Sequence, residues 1–199
     1  MRARLSSLVG TALVDDAMAV AESKRRIVRD GDLLRSPGSR WMEEHVMARL
    51  AAWAGETRDE FRANTVAANQ GREYELSEEQ EAALAHVLRR RFAAVAGGAG
   101  TGKTALARSI VGAWREMTGG SVVLATLSGK AAFVLSRATG TLAKTLYRTL
   151  AEIEEVERAK AEDPDHAASL VSRGKTSLDE TTLVLVDEAS MVALGDWMR

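Results

Sequence analysis

Residues 97–104 read Gly-Gly-Ala-Gly-Thr-Gly-Lys-Thr, and this stretch decides how the rest of the chain is interpreted. It fits the pattern G-x-x-x-x-G-K-[ST]. The fixed positions are Gly97, Gly102, Lys103 and Thr104, and the variable positions are Gly98, Ala99, Gly100 and Thr101. An apolar run at residues 92–96 precedes the stretch, and residues 105–114 follow it with helical spacing. A strand, a glycine loop and a helix in this order are typical of a phosphate-binding loop.

The residue types in this loop suit a nucleoside triphosphate. Glycine lets the main chain approach a polyphosphate closely, with its N–H groups directed inward. A helix beginning at Lys103 would turn its positive end toward the same phosphates. We expect Lys103 to contact the β- and γ-phosphates and the Thr104 hydroxyl to bind Mg²⁺. The alternative is a flexible glycine-rich loop that matches the pattern by chance.

A second pattern lies near the end of the chain, where residues 182–188 read Thr-Leu-Val-Leu-Val-Asp-Glu. The four apolar residues predict a strand that delivers Asp187 and Glu188 to its carboxyl end, where ligands bind in open α/β sheets. Asp187 is a candidate ligand of the same Mg²⁺ as Thr104. Glu188 is the candidate base that orients and activates the attacking water. Together the two patterns indicate nucleotide hydrolysis.

At 199 residues the chain could form one large domain or two small ones. Hydrophobic residues make up 46% of it, which is ample for a core. The formal net charge is -1, so any DNA binding would have to come from a local groove. The chain has no cysteine, which fits a reducing cytosol. No apolar run approaches the ~20 residues of a membrane span, and Asp15 and Asp16 argue against a secretory signal. We therefore expect a cytoplasmic protein without a membrane partner.

A helix, a hairpin and a second helix are predicted before residue 55. Residues 11–26 and 40–54 have helical spacing, and Asp30-Gly31 between two apolar pairs favours a β-hairpin. This order suggests a small winged-helix-like module over residues 1–70, followed by an ATPase lobe over residues 71–199. The basic residues of the winged-helix-like module either contact phosphates or form the solvated face of a packing module. They are Arg25, Arg26, Arg29 and Arg35.

Residues 76–80 read Leu-Ser-Glu-Glu-Gln and open a predicted helix that runs to about Arg90. Two interpretations of Gln80 remain open. In the local one, Ser77 caps the helix and Gln80 reaches back to its N–H, which forms a capping box. In the functional one, Gln80 hydrogen-bonds the adenine edge of the nucleotide.

The middle of the chain predicts a further strand and a further candidate site. Residues 121–126 form a continuous apolar strand, after which Ser128 caps a helix that carries Lys130. A hydroxyl and a lysine at a helix N-terminus suit a phosphate, although an ordinary capped helix has the same pattern. Residues 142–160 are predicted to be helical, with an acidic run that includes Glu152 and reads as a solvated face. The pair Asp163-Pro164 ends that helix, and a polar stretch is expected from there to Glu180.

From about Leu76 to Val192 the chain resembles the RecD-like branch of superfamily 1 DNA helicases. The matching stretches are residues 76–80 (the adenine-reading motif), 97–104 (Walker A), 128–132 (the DNA-contacting motif, Ser-Gly-Lys-Ala-Ala), 135–140 with 144–148 (the segment that follows that motif), and 187–192 (Walker B). The resemblance implies an α/β fold with a partial RecA-like parallel sheet, ATP and Mg²⁺ as ligands, and 5′-to-3′ movement on single-stranded DNA. It also implies a role in recombination or repair, and DNA contacts at Ser128, Lys130 and Arg148.

The chain also departs from the pattern of this branch. Ala99 stands in place of a usual proline, Ser128 in place of threonine and Tyr147 in place of histidine. In such helicases a second RecA-like lobe with an arginine finger follows, so we expect a fragment of a larger motor that is slow or inactive alone. Two alternatives are the helicase half of a conjugative relaxase and a non-motor, ATP-dependent DNA-binding scaffold.

Overall fold

The computed structural model describes residues 11–31, 33–57, 76–98 and 100–198. In chain order, the helices and strands are α1 (Thr11–Ser23), β1 (Val28–Asp30), β2 (Leu33–Arg35), α2 (Pro37–Gly55), α3 (Glu78–Leu88), α4 (Lys103–Thr118), β3 (Val122–Thr126), α5 (Gly129–Thr139), β4 (Ala143–Thr145), α6 (Leu146–Glu162), α7 (Pro164–Ser172), β5 (Leu183–Val186), a 3-10 turn (Ala189–Met191) and α8 (Leu194–Trp197).

Contacts between Cα atoms divide the chain into two compact units. One comprises residues 1–50 and 193–199, and the other comprises residues 51–192. The domain boundary that the sequence predicts between residues 70 and 71 lies within residues 58–75, outside the described residues. It stays a prediction.

The first unit contains the predicted helix, hairpin and helix. β1 and β2 pair antiparallel, with Asp30 opposite Leu33. Gly31 has a φ of +57°, in the left-handed region that a tight hairpin requires and that glycine adopts without a Cβ clash. α2 begins at Pro37 rather than at residue 40, because the fixed φ and missing N–H of proline suit the first helical position.

Two of the basic residues in this unit are paired within it. Arg29 Nη2 lies 2.6 Å from Glu22 Oε1, and Arg35 forms an ion pair with Glu43. These pairs support the packing-module interpretation for Arg29 and Arg35. A role of this unit in phosphate contact stays a prediction.

The second unit is built on a parallel three-stranded sheet with the order β4-β3-β5. Leu124 of β3 lies opposite Leu185 of β5 and opposite Ala143 of β4. The strands predicted at residues 121–126 and 182–186 are confirmed as β3 and β5. The fold is α/β and is consistent with a partial RecA-like P-loop NTPase.

The strand predicted at residues 92–96 is wrong, because the structure assigns these residues to no strand. Three of the five are alanine, which has a low β-propensity. Val95 is 43% exposed, so the run does not bury its apolar surface in the second unit. A short alanine-rich run of this kind forms a strand only when an adjacent strand hydrogen-bonds to it.

The helix predicted over residues 142–160 is also wrong at its start. Residues 143–145 form β4 instead, and Thr145 then caps α6, with its hydroxyl accepting a hydrogen bond from the Arg148 N–H (3.4 Å). The Ala143 N–H donates to Ser136 Oγ of α5 (2.8 Å), which ties the start of the strand to the preceding helix. A three-residue strand is too short to give a period-2 signal, so the helical spacing after it dominated the prediction.

A helix, which the sequence did not predict, occupies part of the polar stretch before Glu180. α7 begins at Pro164, and Asp163 Oδ1 accepts from the N–H groups of Asp165 and His166 (3.1 Å each). The pair Asp163-Pro164 ends α6 as predicted. It also starts α7, because aspartate at the N-cap and proline at the first helical position are both favoured there.

Helix α4 lies at the centre of the second unit. One buried cluster joins it to α3, and a second cluster joins it to the sheet and to α5. The first cluster comprises Leu84, Leu88, Leu106, Ile110, Ala113 and Trp114; the second comprises Ala107, Val111, Leu124, Ala132, Leu135 and Ala143. Because α4 is packed on both sides, the position of its first residue, Lys103, is set by the core of this unit.

Candidate nucleotide-binding site

The glycine loop closes around the ammonium group of Lys103. Lys103 Nζ donates to the main-chain carbonyl oxygens of Gly97 (2.8 Å) and Gly98 (2.6 Å). Thr101 Oγ1 donates to the same Gly98 oxygen (2.9 Å), which fixes the curvature of the loop. Ala99 lies outside the described residues.

The loop is too compact for larger residues at its two fixed glycines. A Cβ built on Gly97 would lie 2.7 Å from Thr101 Oγ1. Gly102 has a φ of +78°, and a Cβ added there would collide with the side chain of Gln80. Close backbone approach is the property that lets main-chain amides converge on a phosphate.

The first turn of α4 offers amide donors toward this loop. Its N-cap is Gly102, which provides no side-chain hydrogen bond to the helix. The first N–H groups of a helix have no intrahelical acceptor, so they suit an anion. The amides of α4, the ammonium of Lys103 and the tight glycine backbone therefore fit a bound polyphosphate.

The direction of α4 brings this loop to the carboxyl edge of the sheet. Trp114 Nε1 donates to the carbonyl oxygen of Thr181 (2.9 Å), just before β5 begins. The helix covers ~16 Å between Trp114 and Lys103, and the strand covers ~20 Å between Thr181 and Asp187. Since Ala107 and Val111 also pack against the sheet, both paths run along it to the same edge.

The acidic pair at the end of β5 adopts two different backbone conformations. The Asp187 N–H donates to the Ala125 carbonyl oxygen (2.9 Å), so Asp187 extends the ladder to β3. Asp187 Oδ1 accepts from the Glu188 N–H (2.9 Å). Glu188 has a φ of +57°, which is uncommon for a residue with a side chain. The chain therefore turns sharply at Glu188, whose side chain is exposed.

Gln80 forms the predicted capping box. The Ser77 N–H donates to Gln80 Oε1 (3.0 Å), and the Gln80 N–H donates to Ser77 Oγ (3.3 Å). The local interpretation is thus confirmed. In addition, Gln80 Nε2 donates to the carbonyl oxygen of Thr101 in the glycine loop (3.1 Å), a contact that the sequence did not predict.

The predicted DNA contacts lie near the same edge of the sheet. Ser128 caps α5, and its Oγ accepts from the Ala131 N–H (3.1 Å). Lys130, on the first turn of α5, is exposed. Thr126 of β3 lies opposite Thr145 of β4, so Ser128 and Arg148 follow these paired residues within two or three positions. The topology therefore brings Ser128, Lys130 and Arg148 to one side of the second unit.

Residues 75–199 match the family model described as "AAA domain". The chain belongs to this family. The chain is 38% identical over 152 residues to the conjugal transfer protein TraA of Rhizobium radiobacter and 36% identical over 152 residues to that of Agrobacterium fabrum. Both alignments cover 75% of this chain and 12% of the relative.

A third relative is the probable conjugal transfer protein TraA of Sinorhizobium fredii. It is 35% identical over 119 residues, which is 59% of this chain and 9% of that protein. The chain therefore spans 12% or less of the length of these relatives. Family and relatives support a nucleotide-binding domain like those of superfamily 1 helicases, but they do not single out the RecD-like branch.

The AAA domain also contains a buried charge cluster around Glu152, which corrects the prediction of a solvated face at this residue, whereas Glu154, Glu155 and Glu157 of the same acidic run are exposed as predicted. Glu152 is 4% exposed, and its Oε1 accepts from Arg148 Nε (2.8 Å). Its Oε2 accepts from the N–H (3.0 Å) and the hydroxyl (2.7 Å) of Thr176 and forms an ion pair with Lys144. Lys144 Nζ also donates to the carbonyl oxygen of Gly174 (2.9 Å).

The surroundings of Glu152 favour its ionised form. Burial alone raises the pKa of Glu152, but hydrogen bonds from Lys144, Arg148 and Thr176 outweigh burial and lower the pKa from 4.5 to about 2. The sequence carries a signal for this cluster. Thr149, Glu152, Val156 and Ala159 recur at helical spacing, which puts Glu152 on the buried stripe of α6.

Within the described residues, no helix of the AAA domain or of the first unit combines the length and the hydropathy that crossing a membrane requires.

Proposed function

We propose that this chain binds ATP at residues 97–104 and is the ATP-binding part of an ATP-dependent DNA helicase. The observation that supports this most directly is the position of Lys103. Its ammonium lies inside the curve of the loop, against two main-chain carbonyl oxygens, at the start of a buried helix. Phosphate oxygens are stronger acceptors than neutral carbonyls, because they carry charge.

Each loop residue has a separate role in this proposal. Lys103 exchanges the carbonyl oxygens of Gly97 and Gly98 for oxygens of the β- and γ-phosphates. The main-chain amides of residues 97–104 and the first turn of α4 surround the phosphates. Thr104 and Asp187 would hold Mg²⁺, which neutralises the charge that develops on the phosphate oxygens.

Glu188 is the proposed base for hydrolysis. Its exposed carboxylate follows Asp187 at the carboxyl edge of the sheet, where ligands bind in α/β folds. The left-handed backbone at Glu188 turns the chain away from the direction of the strand. A backbone conformation of this kind costs of the order of 1 kcal/mol and is concentrated at functional sites.

We propose single-stranded DNA as the polymer on which the complete motor acts, in the 5′-to-3′ direction. Ser128, Lys130 and Arg148 are the proposed contacts to its backbone. We prefer a role in conjugal DNA transfer to the recombination or repair role of the RecD-like resemblance, because the matching relatives carry conjugal transfer in their names. Further lobes of the motor lie outside this chain in this proposal.

Titration of a fluorescent ATP analogue into the 199-residue chain tests the nucleotide site. Lys103→Ala removes the charged donor, and charged hydrogen bonds contribute ~1.5–3 kcal/mol, so we expect affinity to fall at least ~10-fold. Lys160→Ala is the matched control, since Lys160 forms an exposed pair with Glu157 on α6. Equal affinities for the two variants would remove the phosphate-loop assignment.

A further inference from the structure

The turn that follows α1 has an arginine where glycine is usual. Arg25 has a φ of +52°, in the left-handed region. Its N–H donates to the carbonyl oxygen of Glu22 (2.9 Å), and the Arg26 N–H donates to that of Ala21 (2.8 Å). These two bonds form a Schellman motif, whose left-handed position is most often glycine because a Cβ is disfavoured there. Backbone strain of this kind is concentrated at functional sites.

Three consecutive cations, Lys24, Arg25 and Arg26, are exposed at this turn. Within the described part of the chain, none of the three forms an ion pair. The two arginines of the hairpin β1–β2 differ in this respect, because each is paired with a carboxylate. The turn therefore carries a positive charge without a counter-ion, which attracts a polyanion.

A tryptophan on α2 has an open ring. Trp41 is 58% exposed, whereas Trp114 in the core of the second unit is 4% exposed. The Trp41 indole stacks on the His45 ring, with the centroids 5.3 Å apart and 23° between the planes. This contact holds the indole in one orientation and leaves more than half of the residue open to solvent. A base of a nucleic acid can stack on a ring of this kind.

A cavity of about 440 Å³ lies between the basic turn and the start of α2. Its lining residues are Glu22, Arg25, Ile27, Val28, Arg29 and Pro37. Glu22 is paired with Arg29, so Arg25 supplies the charge that the cavity offers to a ligand. Pro37 and Trp41 are four residues apart on α2 and lie on one face of that helix. The basic turn and the open indole therefore belong to one surface, here called the Trp41 face, which comprises Lys24, Arg25, Arg26, Pro37 and Trp41.

We propose that the Trp41 face binds single-stranded DNA, with Arg25 and Arg26 at the phosphates and Trp41 stacked on an unpaired base. Cations along the backbone and an aromatic ring for the bases are the two elements of single-strand binding without sequence preference. An acidic protein segment would satisfy the cations but has no base for the indole. This contact is additional to the one proposed at the edge of the sheet, and it does not depend on ATP.

The first test measures the phosphate contacts. A labelled oligothymidylate of ~15 nucleotides is titrated with the full chain, and fluorescence anisotropy is followed at several salt concentrations. Arg25→Gly and Arg26→Gln should each reduce the slope of log affinity against log salt by ~0.7, the effect of one phosphate contact on a single strand. Lys160→Gln is the control, because Lys160 forms an exposed pair on α6, and it should keep the wild-type slope. Wild-type slopes in both arginine variants overturn the proposal.

Arg25→Gly also separates a binding role from a structural one. Glycine fits the left-handed position better than arginine does. We therefore expect the midpoint of urea unfolding to rise in this variant while its affinity for oligothymidylate falls. A variant that is less stable than the wild type and binds DNA equally well would assign Arg25 to the fold instead.

The second test measures stacking. Trp41→Ala should lower the affinity for oligothymidylate at least ~5-fold, which is the lower end of what one stacked base contributes. Trp41→Phe keeps an aromatic ring and should retain most of the affinity. For a duplex of the same length, Trp41→Ala should match the wild type, because paired bases do not reach the indole. An equal loss for the duplex, or no loss for the oligothymidylate, overturns the proposal.

The result can be distinguished from a failure of the proposed function. Lys130→Ala and Arg148→Ala remove cations at the edge of the sheet and leave the Trp41 face intact. Binding that is weakened only in these two variants would confine DNA to the edge of the sheet and contradict the Trp41 face. Binding that is weakened only in the variants of the Trp41 face would support it and contradict the contacts proposed at the edge.

Discussion

Two lysines of the same unit are held in opposite ways. Lys103 is exposed, and its ammonium lies against the neutral carbonyl oxygens of Gly97 and Gly98. The Lys144 side chain is 11% exposed and is paired with the carboxylate of Glu152. Neutral acceptors on an open loop are easily replaced by a charged ligand, whereas a buried counter-ion is not. The comparison supports the proposed binding role of Lys103 and indicates that Lys144 serves stability.

Removing each lysine in turn is the strongest way to break this comparison. We expect Lys144→Met to lower the free energy of unfolding by about 3–5 kcal/mol, because it leaves the Glu152 carboxylate buried without its closest cation. Lys103→Met should change it by less than ~0.5 kcal/mol, as is usual for an exposed side chain. Urea unfolding followed by circular dichroism measures both, and equal midpoints would contradict the assignment.

The pH dependence of stability sharpens the same comparison. The pKa of Glu152 is about 2 in the folded protein and 4.5 ordinarily. The ionised Glu152 therefore contributes about 3 kcal/mol to the free energy of unfolding above pH 4.5, and this contribution is lost as the pH falls toward 2. Glu152→Gln should reduce the change in the free energy of unfolding between pH 7 and pH 3. Lys103→Met should leave this pH dependence as it is in the wild type. A Glu152→Gln variant with the wild-type slope would show that other carboxylates carry the effect.

Arg148 shares features of both Lys103 and Lys144, and substituting it has the smallest expected effect. Its Nε bonds to Glu152, but 68% of its side chain is exposed at the edge proposed for DNA. In the complete motor, Arg148→Ala and Lys130→Ala should each reduce by about 1 the slope of log affinity for single-stranded DNA against log salt. The matched control is Lys160→Ala, whose slope should equal that of the wild type. Unchanged slopes in all three variants would move the DNA contact to other residues.

Features that depend on neighbouring residues were predictable from the sequence. The glycine loop, the capping box at Ser77 and the Asp30-Gly31 hairpin each need only a few adjacent side chains, and the structure contains all three. The strands that end near Thr126 and Asp187 were predictable for a related reason. Leu124, Ala125 and Thr126 of β3 are buried, as is typical of a continuously apolar strand, whereas β5 is apolar in sequence although Val184 is 47% exposed.

Features that depend on distant partners were not predictable in this way. Besides Arg148, four residues away, the partners of Glu152 lie 8 residues before it at Lys144 and 24 residues after it at Thr176. β4 is defined by its ladder to β3 rather than by its own three residues. Residues 92–96 show the converse, since an apolar run without a partner forms no strand in the described structure.

The contact between Glu152 and Thr176 has a consequence for the hairpin of α6 and α7. It closes a loop of 24 residues without a covalent bond. Unlike a disulfide, this closure exists only while the segment is folded, and protonation of one carboxylate can release it. Acid should therefore open residues 152–176 as a single segment, which a protease active at low pH would cut before it cuts the buried helix α4.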